Sequence, residues 1–156
     1  MRTQAANLLT EVILTVFRTN GRLLASGDAL VGPLGLTSAR WQVLGAVALA
    51  EVPLTAPQIG AAMGITRQGA QKQIDLLVDE GLLEPQANPN HKRSPLYALT
   101  QRGQALYMQV DRAQARWANR LAEGISAQNL ATTKRVLEQL LARLVDSSSY
   151  SEVSHQ

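Results

Sequence analysis

The sequence predicts a mainly α-helical chain with one small β-hairpin, and three observations predict it. Apolar residues recur at helical spacing over long stretches near both ends. Aromatic residues make up only 4% while hydrophobic residues reach 46%, a balance that favours helices packed by aliphatic side chains over a sheet-rich fold. Residues 54–81, LTAPQIGAAMGITRQGAQKQIDLLVDEG, read as two short helices joined by a tight turn, and two strand-like runs follow them. At 156 residues the chain suits a single domain with arms. The expected domain covers 1–146, and the polar end, SSSYSEVSHQ at 147–156, is expected to be a flexible tail.

Composition removes several function classes. There is no cysteine, which excludes disulfides, thiolate metal sites and cysteine-based redox sensing. The two histidines, His91 and His155, fall in a turn and in the tail and cannot pair at the i, i+4 spacing of a helical metal site. No serine stands in a nucleophile-elbow sequence, so no catalytic residue, metal or cofactor is expected. No apolar run reaches the roughly 18 residues of a membrane-spanning helix. The N-terminal MRTQAANLLTEVIL carries Glu11 and no cleavage signal, so the expected location is the cytoplasm. The formal net charge of +3 is compatible with a polyanionic partner without specifying one.

Taken in order, residues 4 to about 30 predict one long helix on Leu8, Leu9, Val12, Ile13, Val16, Phe17, Leu23 and Leu24. Gly21 and Gly27 weaken it, and Gly32-Pro33 ends it. Its apolar face fits either packing within one monomer or burial against a second chain. Thr37 is a candidate N-cap for a second helix with Trp41, Leu44, Val47 and Ala48 on one face, where Trp41 reads as a core anchor.

Pro53 interrupts the chain. Thr55-Ala56-Pro57-Gln58 has the form of a capping box, with Pro57 in the first turn where its missing N–H costs nothing. Ile59 and Met63 face inward, Gly64 permits the turn, and Thr66 caps the next helix. In that helix Ala70, Ile74, Leu77 and Val78 form one buried stripe. On its polar side Arg67 and Lys72 lie near the N-terminus, and Asp75, Asp79 and Glu80 lie near the C-terminus. This order opposes the usual macrodipole preference. It suits a helix that offers cations and free N–H groups to phosphates and base edges, with its carboxylates kept away.

Gly81 fits an αL cap. Leu82–Pro85 and Leu96–Thr100 then read as strands around the turn cluster Asn88–His91 and the basic residues Lys92 and Arg93. The hairpin with its basic tip makes the preceding helix pair a winged helix-turn-helix. The plain alternative for Lys92 and Arg93 is a solvated loop. Thr100 caps a helix over 101–123 whose buried stripe is Leu106, Val110, Ala113, Trp117 and Leu121, with Arg112, Arg116 and Arg120 on a solvated side. Gly124 ends it. Ser126 caps a last helix of about 20 residues, with a stripe of Leu130, Leu137, Leu140, Leu141, Leu144 and Val145.

This order of elements resembles the MarR family of bacterial transcriptional regulators. The resemblance rests on Leu36-Thr37, Leu54-Thr55, Gly64-Ile65-Thr66-Arg67-Gln68, Gly81-Leu82-Leu83, the segment Asn88 to Arg93, and Leu99-Thr100 with Gly103. It implies a symmetric homodimer held by the first and last helices (4–32 and 101–146), with 37–100 as the DNA-binding part. It further implies a repressor that binds a pseudo-palindromic operator in double-stranded DNA. A small aromatic or phenolic effector would release it from a crevice, for which helix position suggests Trp41, Leu44 and Tyr107. The family wing commonly carries Asp-x-Arg; here His91-Lys92-Arg93 stands in its place and leaves Arg93 without the usual carboxylate.

The expected DNA-binding residues are Thr66, Arg67, Gln68, Gln71 and Lys72 on the reading helix and Lys92 and Arg93 on the wing. Gln suits adenine and Arg suits guanine in the major groove. The competing expectation is a ligand-binding or protein-interaction helical dimer that does not read DNA.

Overall fold

The computed structural model describes residues 1–152, with side chains as far as Val145. The helices are α1 (Gln4–Val31), α2 (Ser38–Leu49), α3 (Ala56–Met63), α4 (Arg67–Asp79), α5 (Gln101–Ala122) and α6 (Ala127–Glu152). The strands are β1 (Leu54–Thr55), β2 (Leu83–Gln86) and β3 (Leu96–Leu99). The class is as expected: mainly helical, with a small antiparallel sheet. The chain divides into two units, residues 1–115 and residues 116 onward.

The caps explain most helix starts. Thr37 Oγ1 accepts from Arg40 N, Thr55 Oγ1 from Gln58 N, Thr66 Oγ1 from Gly69 N, and Thr100 Oγ1 from Gly103 N. Each hydroxyl satisfies one of the four N–H groups that a helix start leaves unpaired. At α3 the box closes, because Gln58 Oε1 accepts from Thr55 N at 2.9 Å. α1 runs unbroken through Gly21 and Gly27 and gives way at Gly32 to a single 3₁₀ turn.

Two expectations need correction. The sheet has three strands in the order β1-β3-β2, where a two-stranded hairpin was expected. Leu54 pairs with Tyr97 and Thr55 with Leu96, so two residues ahead of α3 complete the sheet. Pro85, in β2, lies on the strand at the sheet edge, where its missing donor breaks no ladder. The second correction concerns α2, which is wrapped on nearly all sides. Val43, Leu44, Gly45, Ala46 and Val47 are all buried, so it runs through the core. A single apolar face was expected.

That core, in the first unit, joins Val31, Leu36, Val43, Leu44, Ile59, Ile74, Leu77, Leu83, Tyr97 and Val110. Trp41 packs against it from the side, as a core anchor would. Gly103 lets the start of α5 lie against the chain at Leu82. A Cβ there would run into the Leu82 carbonyl oxygen and lie 3.0 Å from its carbon.

In the second unit, Ile125 N donates to Ala122 O at 3.0 Å and Ser126 Oγ accepts from Asn129 N, so the turn at Gly124 leads into a capped α6. The stripe expected on the α5 helix does not stay buried to its end, since Leu121 is exposed. The α6 stripe is also outward: Leu130, Leu137, Leu141, Leu144 and Val145 are exposed. α6 reaches Glu152, so residues 147–152 of the expected tail are helical, and residues 153–156 lie outside the described part. Among the described residues no helix is long and apolar enough to cross a membrane.

Candidate nucleic-acid interface

The turn between α3 and α4 is built from backbone geometry. Gly64 adopts φ 65°, which a side chain would disfavour. Ile65 N donates to Gly60 O at 3.0 Å and closes the turn. Ala70, Ile74 and Leu77 then pin α4 to the core with no exposed surface. Helical periodicity therefore leaves Arg67, Gln68 and Lys72 outward and exposed, with Gln71 half-buried beside them. Thr66 is exposed as well, but its hydroxyl oxygen already serves as the cap of α4.

Gln68, Gln71, Lys72, Asp75, Leu76 and Asp79 line one open concave surface along α4. Two of the carboxylates expected to stay away from a ligand thus lie on the same face, one and two turns further along. Asp75 is tied in directly: its Oδ1 accepts from Gln71 Nε2 at 2.8 Å. Gln71 Nε2 also donates to Tyr97 Oη at 3.3 Å, joining α4 to the central strand of the sheet. Glu80 is turned back instead and forms an ion pair with Arg40 of α2.

The wing is the loop between β2 and β3. Lys92 and Arg93 are exposed at its tip. Among the described residues neither they nor Arg67 and Lys72 have an ion-pair partner. The loop has its own fastening. Asn88 Nδ2 donates to Ser94 O at 2.8 Å, Asn88 Oδ1 accepts from Asn90 N, and Ser94 N donates to His91 O at 3.1 Å. An amide at position 88 spans the loop with neutral hydrogen bonds and leaves both cations unneutralised.

The three residues suggested for an effector crevice are placed differently from one another. Leu44 has no exposed surface and belongs to the closed core. Trp41 and Tyr107 are half-buried at its edge, and Tyr107 lies near Gly45 of α2. Burial first, and then the Asp111 carboxylate, push the Tyr107 phenol above its ordinary pKa, so it remains a neutral donor at physiological pH. Among the described residues no group of three His, Asp or Glu side chains is placed to hold a metal.

Sequence reasoning did not find Tyr97, or the roles of Arg40 and Arg102 at the far end of α4. Arg102 Nη1 donates to Glu80 O at 2.7 Å. Only the Gln71–Asp75 contact carried a local signal, an amide and a carboxylate at i, i+4 on one helix.

Comparison with known proteins agrees with this architecture. The model of the MarR family matches residues 34–94, from the approach to α2 through the wing. An uncharacterized protein of Mycobacterium tuberculosis is 34% identical over 136 residues, which is 87% of this chain and 94% of that one. Among solved structures, a mutant form of MarR from E. coli complexed with operator DNA is 27% identical, with a TM-score of 0.69 over 85% of this chain and 93% of that one. A MarR family transcription regulator known from a crystal structure is 25% identical, with a TM-score of 0.73 over 92% of this chain and 94% of that one. With its helix-turn-helix and wing matched by the family model, and its fold shared with MarR regulators over most of both chains, the chain belongs to the MarR family of transcriptional regulators.

Proposed function

We infer that this protein is a sequence-specific DNA-binding regulator. It acts as a homodimer in the cytoplasm, represses transcription when bound, and is released by a small aromatic or phenolic ligand. One observation carries the DNA reading: the exposed cations of α4 and the wing, Arg67, Lys72, Lys92 and Arg93, have no internal counter-ions among the described residues. Unpaired cations flanking a helix N-terminus are what a phosphate backbone needs. The operator complex of the similar E. coli protein supports the same reading.

In this mechanism Arg67 and Lys72 face both phosphates and base edges, Lys92 holds phosphate, and the N–H groups at the start of α4 add to them. Gln68 and Gln71 address base edges in the major groove. Arg93 enters the adjacent minor groove, where a narrow groove concentrates negative potential. A second copy places a second α4 about one helical turn along, which makes the operator pseudo-palindromic. The aromatic rims of Trp41 and Tyr107 are the candidate contacts for the effector.

Selection of bound DNA from a random pool, repeated with phenolic acids present, tests the whole reading. An enriched inverted repeat, lost when a ligand is added, is the expected result. Arg93→Ala should weaken binding at all sequences and make the slope of log affinity against log salt shallower by about 1.8, that is about 0.9 for each of the two wings of the dimer. A variant as tight as wild type would remove the wing from the mechanism.

The carboxylates Asp75 and Asp79 on the reading face favour one competitor, a helical dimer that binds a ligand or a protein and no DNA. Genomic fragments at low salt discriminate, because that protein would enrich none.

A further inference from the structure

Gln71 is the one half-buried side chain among the four expected on α4 to contact DNA beyond its cap, and its carboxamide is held at one end only. An amide nitrogen carries two hydrogens. Both are used here, one by Asp75 Oδ1 at 2.8 Å and the other by Tyr97 Oη at 3.3 Å. Oε1 has no partner among the described residues. The two anchors come from different elements: Asp75 lies one turn along α4, and Tyr97 is a buried residue of β3 that is 6% exposed. Tyr97 is itself fixed by pairing on both sides, to Leu54 of β1 and Pro85 of β2. Turned over, the amide could still accept from the Tyr97 hydroxyl, but its oxygen would then face the Asp75 carboxylate, which only accepts, so Asp75 fixes the orientation and Tyr97 supports it.

A free glutamine reads adenine with both ends, accepting from N6–H and donating to N7. A glutamine whose N–H groups are already engaged can only accept. In the major groove, donors come from the exocyclic amino groups of adenine and cytosine, while guanine and thymine offer only acceptors at the corresponding edge. We propose that Asp75 and Tyr97 are positioning residues that hold Gln71 as an acceptor, so that Gln71 selects an amino-bearing base, adenine or cytosine, and makes no contact with N7. This rests on the DNA-binding reading above and differs from the plain adenine preference expected from residue type alone.

The test begins with the intact protein and its selected operator. Gln71→Ala locates the base pair that depends on this side chain. That position is then varied through all four bases and through 7-deazaadenine, which keeps the amino group and replaces N7 with C–H. Wild type should bind the adenine, 7-deazaadenine and cytosine duplexes within about twofold of one another, and the guanine and thymine duplexes about fivefold or more weakly. The double variant Asp75→Ala/Tyr97→Phe frees both amide hydrogens. It should come to favour adenine over cytosine by about fivefold and lose that gain on 7-deazaadenine. Asp75→Asn, which keeps an acceptor oxygen, should retain the wild-type ranking. Loss of the Asp75 charge alone would raise affinity for every duplex equally and leave the ranking untouched. A wild-type preference for guanine or thymine, or a cost of fivefold for 7-deazaadenine in the wild type, overturns the proposal with no variant needed. Failure to enrich any sequence would instead take down the DNA reading, and the proposal with it.

Discussion

Ile59, Ile74 and Leu77 in the helix-turn-helix have no exposed surface, while Phe17 in α1 keeps 68% and Leu141 in α6 keeps 62%. All five sit on apolar stripes with the same helical period. The stripe of α4 finds α2, α3 and the sheet within its own unit. α1 leaves Leu8, Val12, Ile13, Leu14, Val16 and Phe17 uncovered, and α6 does the same with its leucines. Periodicity marks a face as built for burial and is silent about what buries it. The same pattern closes a core in one part of the chain and leaves an apolar face open in another.

Breaking the closed side should have the largest effect. Ile74→Ala opens a hole in a fully packed site and is expected to cost about 2–5 kcal/mol, read as a lower urea midpoint at unchanged m-value. A loss under ~1 kcal/mol would mean that the site collapses freely. The open side comes next. Phe17→Asp costs a lone exposed helix within about 0.5 kcal/mol. In the homodimer reading the same change occurs in both subunits and should weaken self-association by about thirtyfold for each buried anchor lost, roughly a thousandfold in all. Sedimentation equilibrium decides between these, and an unchanged mass would show that no second copy covers this face. The smallest change sharpens the boundary between the two regimes. Thr55→Ala removes the capping box at α3 and should cost about 1 kcal/mol, visible in the melting midpoint and absent from the association constant.

The limits of legibility follow sequence distance. Thr37, Thr55, Thr66, Thr100 and Ser126 each cap a helix with a group three residues away, and every one of those helix starts was readable. The strand β1 was not, because nothing about Leu54-Thr55 is strand-like until Leu96 and Tyr97 come alongside. The exposed cations of the candidate site were readable from the period of α4. The state of Gln71 was not, since its second anchor is 26 residues away. At the wing, the missing carboxylate at His91 was readable, while the fastening of the loop by the Asn88 amide, bonded to a backbone carbonyl six residues on, was not.

The far end of α4 carries a further consequence. Its own last turn holds no basic residue, so read alone the helix leaves its negative pole bare. In the fold that pole is served from outside: Arg40 of α2 takes the Glu80 carboxylate, and Arg102 of α5 takes the Glu80 carbonyl. The opposite end has no acidic residue in its first turn. The helix thus behaves like a bar magnet with a keeper on one pole. Its returning field is closed through neighbouring elements at the tail, and its positive head stays open to whatever anion approaches.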